Sequence, residues 1–171
     1  IFLVTNGQEP DMIQKLQDED ALPTQLYLST NAADYESFLK INKPKYDDSW
    51  ERWNRTLDML KDLDTRTVLR ITLIRNYNDQ KEMIPAFAEM FRKASPHFIE
   101  IKSYMHIGRS TNRLEHENML EMEEVKKFSE QIAKESKIFS IMDESLVSRI
   151  SILQNNERFI DRWIPTYANT N

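Results

Sequence analysis

TRTVLRITLIR, residues 65–75, decides the fold. From Thr67 to Ile74 it is a near-continuous run of β-branched and aliphatic residues, the pattern of a parallel strand covered on both faces. Downstream, Asp79–Lys93 carries Ile84, Phe87 and Phe91 at helical spacing, and His97–Ser103 (HFIEIKS) returns to strand character. Upstream, Asp47 or Asp48 caps a helix whose Trp50, Trp53, Leu57 and Leu60 share one face. Asn42-Lys43-Pro44 breaks the helix before it, Ala33 to about Lys40. Gln25–Thr30 (QLYLST), after the Leu22-Pro23 turn, and Ile1–Thr5 are further strands, with a proline-started helix over Pro10–Gln17 between them. A long polar loop from Tyr104 to about Leu120 leads to a helix near Glu121–Lys134, with Val125, Phe128 and Ile132 inward. Ile138–Met142 and Arg149–Leu153 read as two last strands.

The order β-α-β-α-α-β-α-β-α-β-β predicts an α/β protein whose parallel strands are joined by crossover helices. Four parallel units do not close an eight-strand barrel. The expected architecture is therefore the C-terminal portion of a partial (β/α) TIM-like barrel with a short C-terminal β extension. It occupies one domain over residues 1–165, followed by a disordered tail at 166–171. Ile1-Phe2-Leu3-Val4 begins inside a strand, so a preceding segment is expected.

Composition narrows the chemistry. The chain has 171 residues, enough for one real core. It contains no cysteine, so no thiolate-held metal or cluster has its ligands here, and an intracellular, cytoplasmic setting is expected. Two glycines cannot build a Gly-rich phosphate loop. No apolar stretch approaches bilayer length, so no membrane partner is expected. A net charge of −5 confines any nucleic-acid contact to a local basic patch.

In parallel folds, ligands sit at the carboxyl ends of the strands. Those positions are Thr5-Asn6-Gly7, Ser29-Thr30-Asn31, Arg70 with Thr72, and Glu100 with Lys102; Tyr104, Met105, His106, Arg109 and Arg113 follow in the next loop. Arg70 interrupts an apolar run, where an unpaired cation would cost several kcal/mol. Its partner is either a ligand carboxylate or Glu100 on the adjoining strand. Glu100 and Lys102 share one face of their strand, so Lys102 either pairs with Glu100 or meets a substrate. A lysine there neutralises an anion, moves a proton or forms a Schiff base. Ser29 and Asn31 either hydrogen-bond ribose hydroxyls or cap the following helix. His97, His106 and His116 lack metal-ligand spacing, and no metal site is assigned.

Several blocks, in order, carry a resemblance: FLVTNG at 2–7, PTQLYLS at 23–29 and INKPKYDDSWERWNRTLDML at 41–60. TRTVLRITLIR at 65–75, FIEIKSYMHIGRSTNRLEHENM at 98–119 and, more weakly, ESLVSRISIL at 144–153 complete the set. Together they resemble the tRNA 4-demethylwyosine synthase family of radical S-adenosylmethionine enzymes, from residue 1 to about 153. The resemblance implies a radical S-adenosylmethionine barrel and a lyase-like, tRNA-modifying enzyme. This family condenses N1-methylguanosine of phenylalanine tRNA with pyruvate-derived carbons to give 4-demethylwyosine. It implies S-adenosylmethionine near Asn6, Ser29, Asn31 and Arg70, with Lys102 as the catalytic residue. Tyr104, His106, Arg109 and Arg113 would face substrate, with Tyr104 stacking on an extruded guanine. Ser29-Thr30-Asn31-Ala32 departs from the family's Ser-x-Asp-Ala, which weakens Asn31 as a charged contact. The [4Fe–4S] cluster would be held by cysteines of a CxxxCxxC outside this chain, in the missing N-terminal half of the barrel, so the chain alone is expected to be inactive. Two other readings stand beside it: a non-catalytic remnant or complementing subunit of such a barrel, and a different lysine-dependent β/α-barrel enzyme such as a Schiff-base aldolase.

Overall fold

The run read first becomes β3 (Arg66–Leu73), in the interior of a six-stranded sheet. The structure is a computed structural model and describes residues 1–164. The other strands are β1 (Phe2–Thr5), β2 (Gln25–Ser29), β4 (Phe98–Ser103), β5 (Phe139–Ser145) and β6 (Ile150–Asn155), in spatial order β1-β2-β3-β4-β6-β5. The first four pair in parallel. The last two form an antiparallel hairpin that joins the sheet through β6 on β4, which is the expected C-terminal β extension.

The helices are α1 (Pro10–Asp18), α2 (Tyr35–Asn42), α3 (Ser49–Met59), α4 (Ile84–Ala94) and α5 (Met122–Ser136). All five insert side chains into one apolar cluster: Ile13, Phe38, Trp53, Phe87 and Phe128 meet Leu26, Leu28, Leu69, Ile71, Ile99 and Ile101. Side chains alternate across a strand, so the helices cover a single face of the sheet. The opposite face carries Tyr27, Ser29, Arg70, Thr72, Glu100 and Lys102, aligned by the register Ser29↔Arg70↔Glu100 and Thr72↔Lys102. β3 is therefore helix-covered on one side only. At its start the second side is shielded: Arg66, buried on that side, donates to the carbonyls of Arg162 and Trp163 at 3.0 and 3.3 Å.

The expected architecture is met in part. The sheet is open, with β1 and β5 as its two edges, and a partial TIM-like barrel is not confirmed. Two antiparallel strands at the β4 side end the parallel series there, so the described residues form an open α/β sheet. Helix boundaries also shift. α2 starts after Asp34, whose carboxylate accepts from the Ser37 N–H at 2.9 Å, so the cap is Asp34 and not Ser29 or Asn31. The helix expected from Asp79 divides into a 3-10 turn, Lys81–Met83, and α4; Pro85 lies in the first turn of α4, where its missing N–H costs nothing. The tail expected at 166–171 lies outside the described residues. No helix of the described residues is long and apolar enough to cross a membrane.

Candidate active site

The open sheet face concentrates the charged residues singled out above. Arg70 Nε donates to Glu100 Oε1 at 2.8 Å, with the Glu100 side chain 10% exposed and that of Arg70 28% exposed. The Arg70 guanidinium also lies 4.5 Å from the centroid of the Tyr27 ring, which adds a cation–π contact. Burial pushes the Tyr27 phenol above its ordinary range, and the Glu100 carboxylate adds to this while Arg70 opposes it. Glu100 is thus the partner of Arg70. Lys102, two residues along and half-buried, aligns with Thr72 on one side and Ile150 on the other, and it has no ion pair among the described residues. The same pairing that satisfies Arg70 leaves the Lys102 ammonium without a carboxylate.

Asn6, Ser29 and Asn31 line a cleft of about 690 Å³ at the carboxyl ends of β1 and β2, walled by Phe38 and by residues 42–46. The turn after β1, between Asn6 and Gln8 of the cleft, depends on a close approach. Gly7 has φ +74°, and a Cβ there would lie 2.8 Å from Leu28 Cδ1 and 3.1 Å from Trp53 Cδ1. Only glycine accepts both the left-handed backbone and that contact. Thr56 Oγ1 donates to the Gly7 carbonyl at 2.9 Å, and Trp53 Nε1 donates to the Ser29 carbonyl at 3.1 Å. α3 therefore sets the positions of both strand ends, and Trp53 is a core residue with a second, polar task. Gln8 donates through Nε2 to the Ser49 carbonyl at 3.0 Å, while its Oε1 is buried beside the cleft without a partner among the described residues.

Asn31 is partly committed to structure. Its Oδ1 accepts from the Thr72 N–H at 3.0 Å, which ties β2 to the end of β3. Asn78, fully buried, completes that tie: Nδ2 donates to the Asn31 and Thr72 carbonyls at 2.9 and 3.0 Å, and Oδ1 accepts from the Ile74 N–H at 2.7 Å. Asn78 is the positioning residue that sequence reasoning missed. An asparagine in Asn76-Tyr77-Asn78-Asp79 looks like any turn former.

The loop after β4 holds Tyr104, His106, Arg109 and Arg113. Tyr104 is 5% exposed and packs with Ile74 and Leu114, so its ring is not presented for stacking. Its hydroxyl lies 3.1 Å from His106 Nδ1. Arg109 and Arg113 are exposed and form no ion pair among the described residues. The loop is pinned at its far end by Arg75, which pairs with Glu124 and donates to the Glu117 carbonyl at 3.1 Å. Among the described residues no three His, Asp or Glu side chains gather to hold a metal ion. His97 lies at the opposite ends of the strands. Its Nδ1 accepts from the Thr67 N–H at 3.1 Å, and burial, with Arg158 and Arg66 nearby, pushes it down to about 4.

The family described as wyosine base formation matches residues 93–155. An S-adenosyl-L-methionine-dependent tRNA 4-demethylwyosine synthase of Methanocaldococcus jannaschii is 42% identical over 162 residues, 94% of this chain and 48% of that protein. The Pyrococcus abyssi protein of the same name is 38% identical over 156 residues, 91% of this chain and 45% of its own. The chain thus spans about half the length of the curated relatives it matches. Among solved structures, one of TYW1 with a lysine–pyruvate adduct bound superimposes with a TM-score of 0.80 at 41% identity, covering 93% of this chain and 48% of that one. A crystal structure of archaeal TYW1 gives 0.73 at 36% identity, covering 93% and 47%. A radical SAM methyltransferase from Sphaerobacter thermophilus shares the fold alone, with a TM-score of 0.50 at 14% identity over 79% of this chain and 38% of that one.

Proposed function

The chain is related to the tRNA 4-demethylwyosine synthases over about half their length, and from this we propose that it is the cofactor- and substrate-facing segment of such an enzyme, acting on tRNA in the cytoplasm. The reaction proposed is the condensation of N1-methylguanosine in phenylalanine tRNA with pyruvate-derived carbons to give 4-demethylwyosine. The observation that carries the reading is the Lys102 ammonium, without an ion pair among the described residues, on the sheet face where Arg70 and Glu100 satisfy each other.

The strand-end cleft fits a polar organic cofactor. Asn6, Ser29 and Asn31 offer hydrogen-bonding groups, and the orphaned Gln8 Oε1 offers an acceptor to a ribose hydroxyl or an ammonium. These residues would hold S-adenosylmethionine, which supplies radical chemistry when bound. Arg70, locked by Glu100 and Tyr27, supports that site from the sheet face. A [4Fe–4S] cluster does not fit this chain, which has no cysteine to ligate it.

Lys102 is assigned the pyruvate-derived fragment. Its ammonium neutralises the carboxylate in a half-buried setting where a charge pair is worth more than in water. Arg109 and Arg113 are assigned RNA phosphates, and His106, held by Tyr104, the substrate side of the loop. In the full-length protein, Lys102→Ala is expected to abolish 4-demethylwyosine, measured by nucleoside mass spectrometry. Near-normal product removes Lys102 from the mechanism. The lysine–pyruvate adduct of the TYW1 relative favours a second reading, in which the Lys102 amine condenses with the pyruvate carbonyl, forming C=N and releasing water. Borohydride with pyruvate then adds mass to the peptide containing Lys102; an unmodified peptide rejects that reading.

A further inference from the structure

Tyr104 keeps a hydroxyl where a phenylalanine would fill the same space. Its ring is buried against Ile74 and Leu114, and its backbone N–H donates to the Leu73 carbonyl at 2.7 Å, so the phenol oxygen is a fixed point at the end of β4. The one hydrogen-bond partner of that oxygen among the described residues is His106 Nδ1, at 3.1 Å. Three rings stand in a row there. The His106 ring meets Tyr104 edge-on, with centroids 6.2 Å apart, and meets His116 in the same manner at 6.1 Å. His116 is fixed as well, because it opens the turn His116–Asn118, whose Asn118 Nδ2 donates to the Arg75 carbonyl at 3.1 Å and whose Asn118 carbonyl accepts from the Arg75 N–H at 2.9 Å. His106 itself sits on a segment of local bonds, Ile107 N–H to the Met105 carbonyl at 2.8 Å and Ser110 Oγ to the Ile107 carbonyl at 2.7 Å. Its imidazole is therefore held by the two fixed rings on either side of it.

The row adjoins the candidate site. Ile41 of α2 packs against the Ile74–Tyr104–Leu114 cluster, and the next residue, Asn42, walls the strand-end cleft, where its Oδ1 accepts from Asn31 Nδ2 at 3.4 Å. The proton between Tyr104 and His106 can be placed by counting donors. A phenol both donates and accepts, whereas a neutral imidazole has one donor and one acceptor. If Nδ1 held the proton, the buried Tyr104 O–H would have no acceptor among the described residues. With the O–H donating to Nδ1, the imidazole carries its proton on Nε2. That N–H lies on the edge of the ring turned away from the phenol, and it has no hydrogen-bond partner among the described residues.

We propose that Tyr104 is a positioning residue that fixes His106 as the Nε2–H tautomer, and that this N–H donates to a planar carbonyl or carboxylate oxygen of the substrate beside the cleft. This rests on the tRNA-modifying reading above and adds the working atom of His106 and what holds it. The oxygen belongs either to the guanine base or to the pyruvate-derived fragment. The first test is nitrogen-15 NMR of the full-length protein labelled at histidine, with His106 assigned by its loss in His106→Gln. Wild type is expected to show the His106 proton on Nε2, and Tyr104→Phe to move the Nδ1 resonance as the O–H bond to it is lost. Adding pyruvate, or an RNA stem-loop carrying N1-methylguanosine, is expected to move the Nε2 resonance, and the one that does so identifies the oxygen. A proton on Nδ1, or an Nε2 resonance that neither addition moves, overturns the proposal. The second test is kinetic. A glutamine amide reaches the place of imidazole Nε2 and an asparagine amide that of Nδ1. His106→Gln is therefore expected to keep about tenfold more kcat/KM than His106→Asn; the reverse order means that the ring only ties the loop, and it overturns the proposal. Tyr104→Phe, which keeps the packed ring and is expected to keep the thermal midpoint, should lower kcat/KM about threefold to tenfold, with little further loss in the His106→Asn background. An unchanged kcat/KM for Tyr104→Phe removes Tyr104 from the role. If wild-type protein forms no 4-demethylwyosine, the functional reading fails, and the NMR measurements still decide the tautomer and the ligand contact.

Discussion

Breaking the Arg70–Glu100 pair tests how the site keeps Lys102 free. The Nε–Oε1 distance is 2.8 Å, and the two side chains are 28% and 10% exposed. A charge-assisted hydrogen bond contributes about 1.5–3 kcal/mol, and removing one partner of a well-buried pair costs about 3–5 kcal/mol. Partial exposure of Arg70 lowers both figures by screening. Glu100→Gln and Arg70→Met are therefore each expected to cost about 2–4 kcal/mol, with the double variant about 2 kcal/mol less destabilised than the sum. Arg70→Met also loses the stack on Tyr27 at 4.5 Å, so it is expected to be the worse of the two. The measurement is a double-mutant cycle on urea midpoints in the full-length protein, followed by tryptophan fluorescence, with unchanged m-values as the check that one transition is compared. Additivity within about 0.5 kcal/mol refutes the pairing. So does a small loss for Arg70→Met that becomes large when Lys102→Met is added. That pattern would mean that Lys102 is the real partner of Glu100 and that its ammonium is not free.

Gly7→Ala is expected to destabilise by about 2–4 kcal/mol, from the positive φ and the 2.8 Å approach to Leu28 Cδ1, and to weaken S-adenosylmethionine binding by displacing Asn6. A thermal midpoint equal to wild type would show that the turn relaxes. His97 provides a pH test. Its folded pKa, about 4, lies below the ordinary 6.5, so the unfolded chain binds the proton more readily. The stability this burial permits is fully present above about 6.5 and declines as pH falls toward 4. His97→Asn should flatten that part of the stability profile, and an unchanged slope would contradict the assignment.

Much of the scaffold was legible because burial leaves a period in the sequence. Thr67–Ile74 and His97–Ser103 read as strands, and Trp53 and Leu57 in α3, like Phe87 and Phe91 in α4, read as helix stripes. Their residues meet the same apolar cluster in the structure. Boundaries were less legible. Pro85 suits the first turn of a helix as well as it breaks one, and Asp34 competes with neighbouring polar residues as a cap. Among the site residues, Asn6, Ser29, Asn31, Arg70 and Lys102 were reached by asking what stands at strand ends, and the structure brings the first three to one cleft. Asn78 and Gln8 were not reached, because a polar side chain that is buried and one that is solvated look the same in sequence. Tyr104 shows the converse: its phenol suggested a stacking surface, but the ring is consumed by packing against Ile74 and Leu114.

By itself the sequence determined the alternation of strands and helices, the absence of cysteine ligands and which side chains lie at strand ends. These follow from local spacing and composition, which the chain carries residue by residue. Only the tertiary structure decided that the sheet stays open among the described residues and that Glu100 belongs to Arg70 and not to Lys102. Each of these depends on which strand lies next to which and in what register. Strand pairing joins residues distant in the chain, 30 apart for Arg70 and Glu100, through backbone hydrogen bonds available to any residue, so neighbouring strands leave little trace in the side-chain pattern.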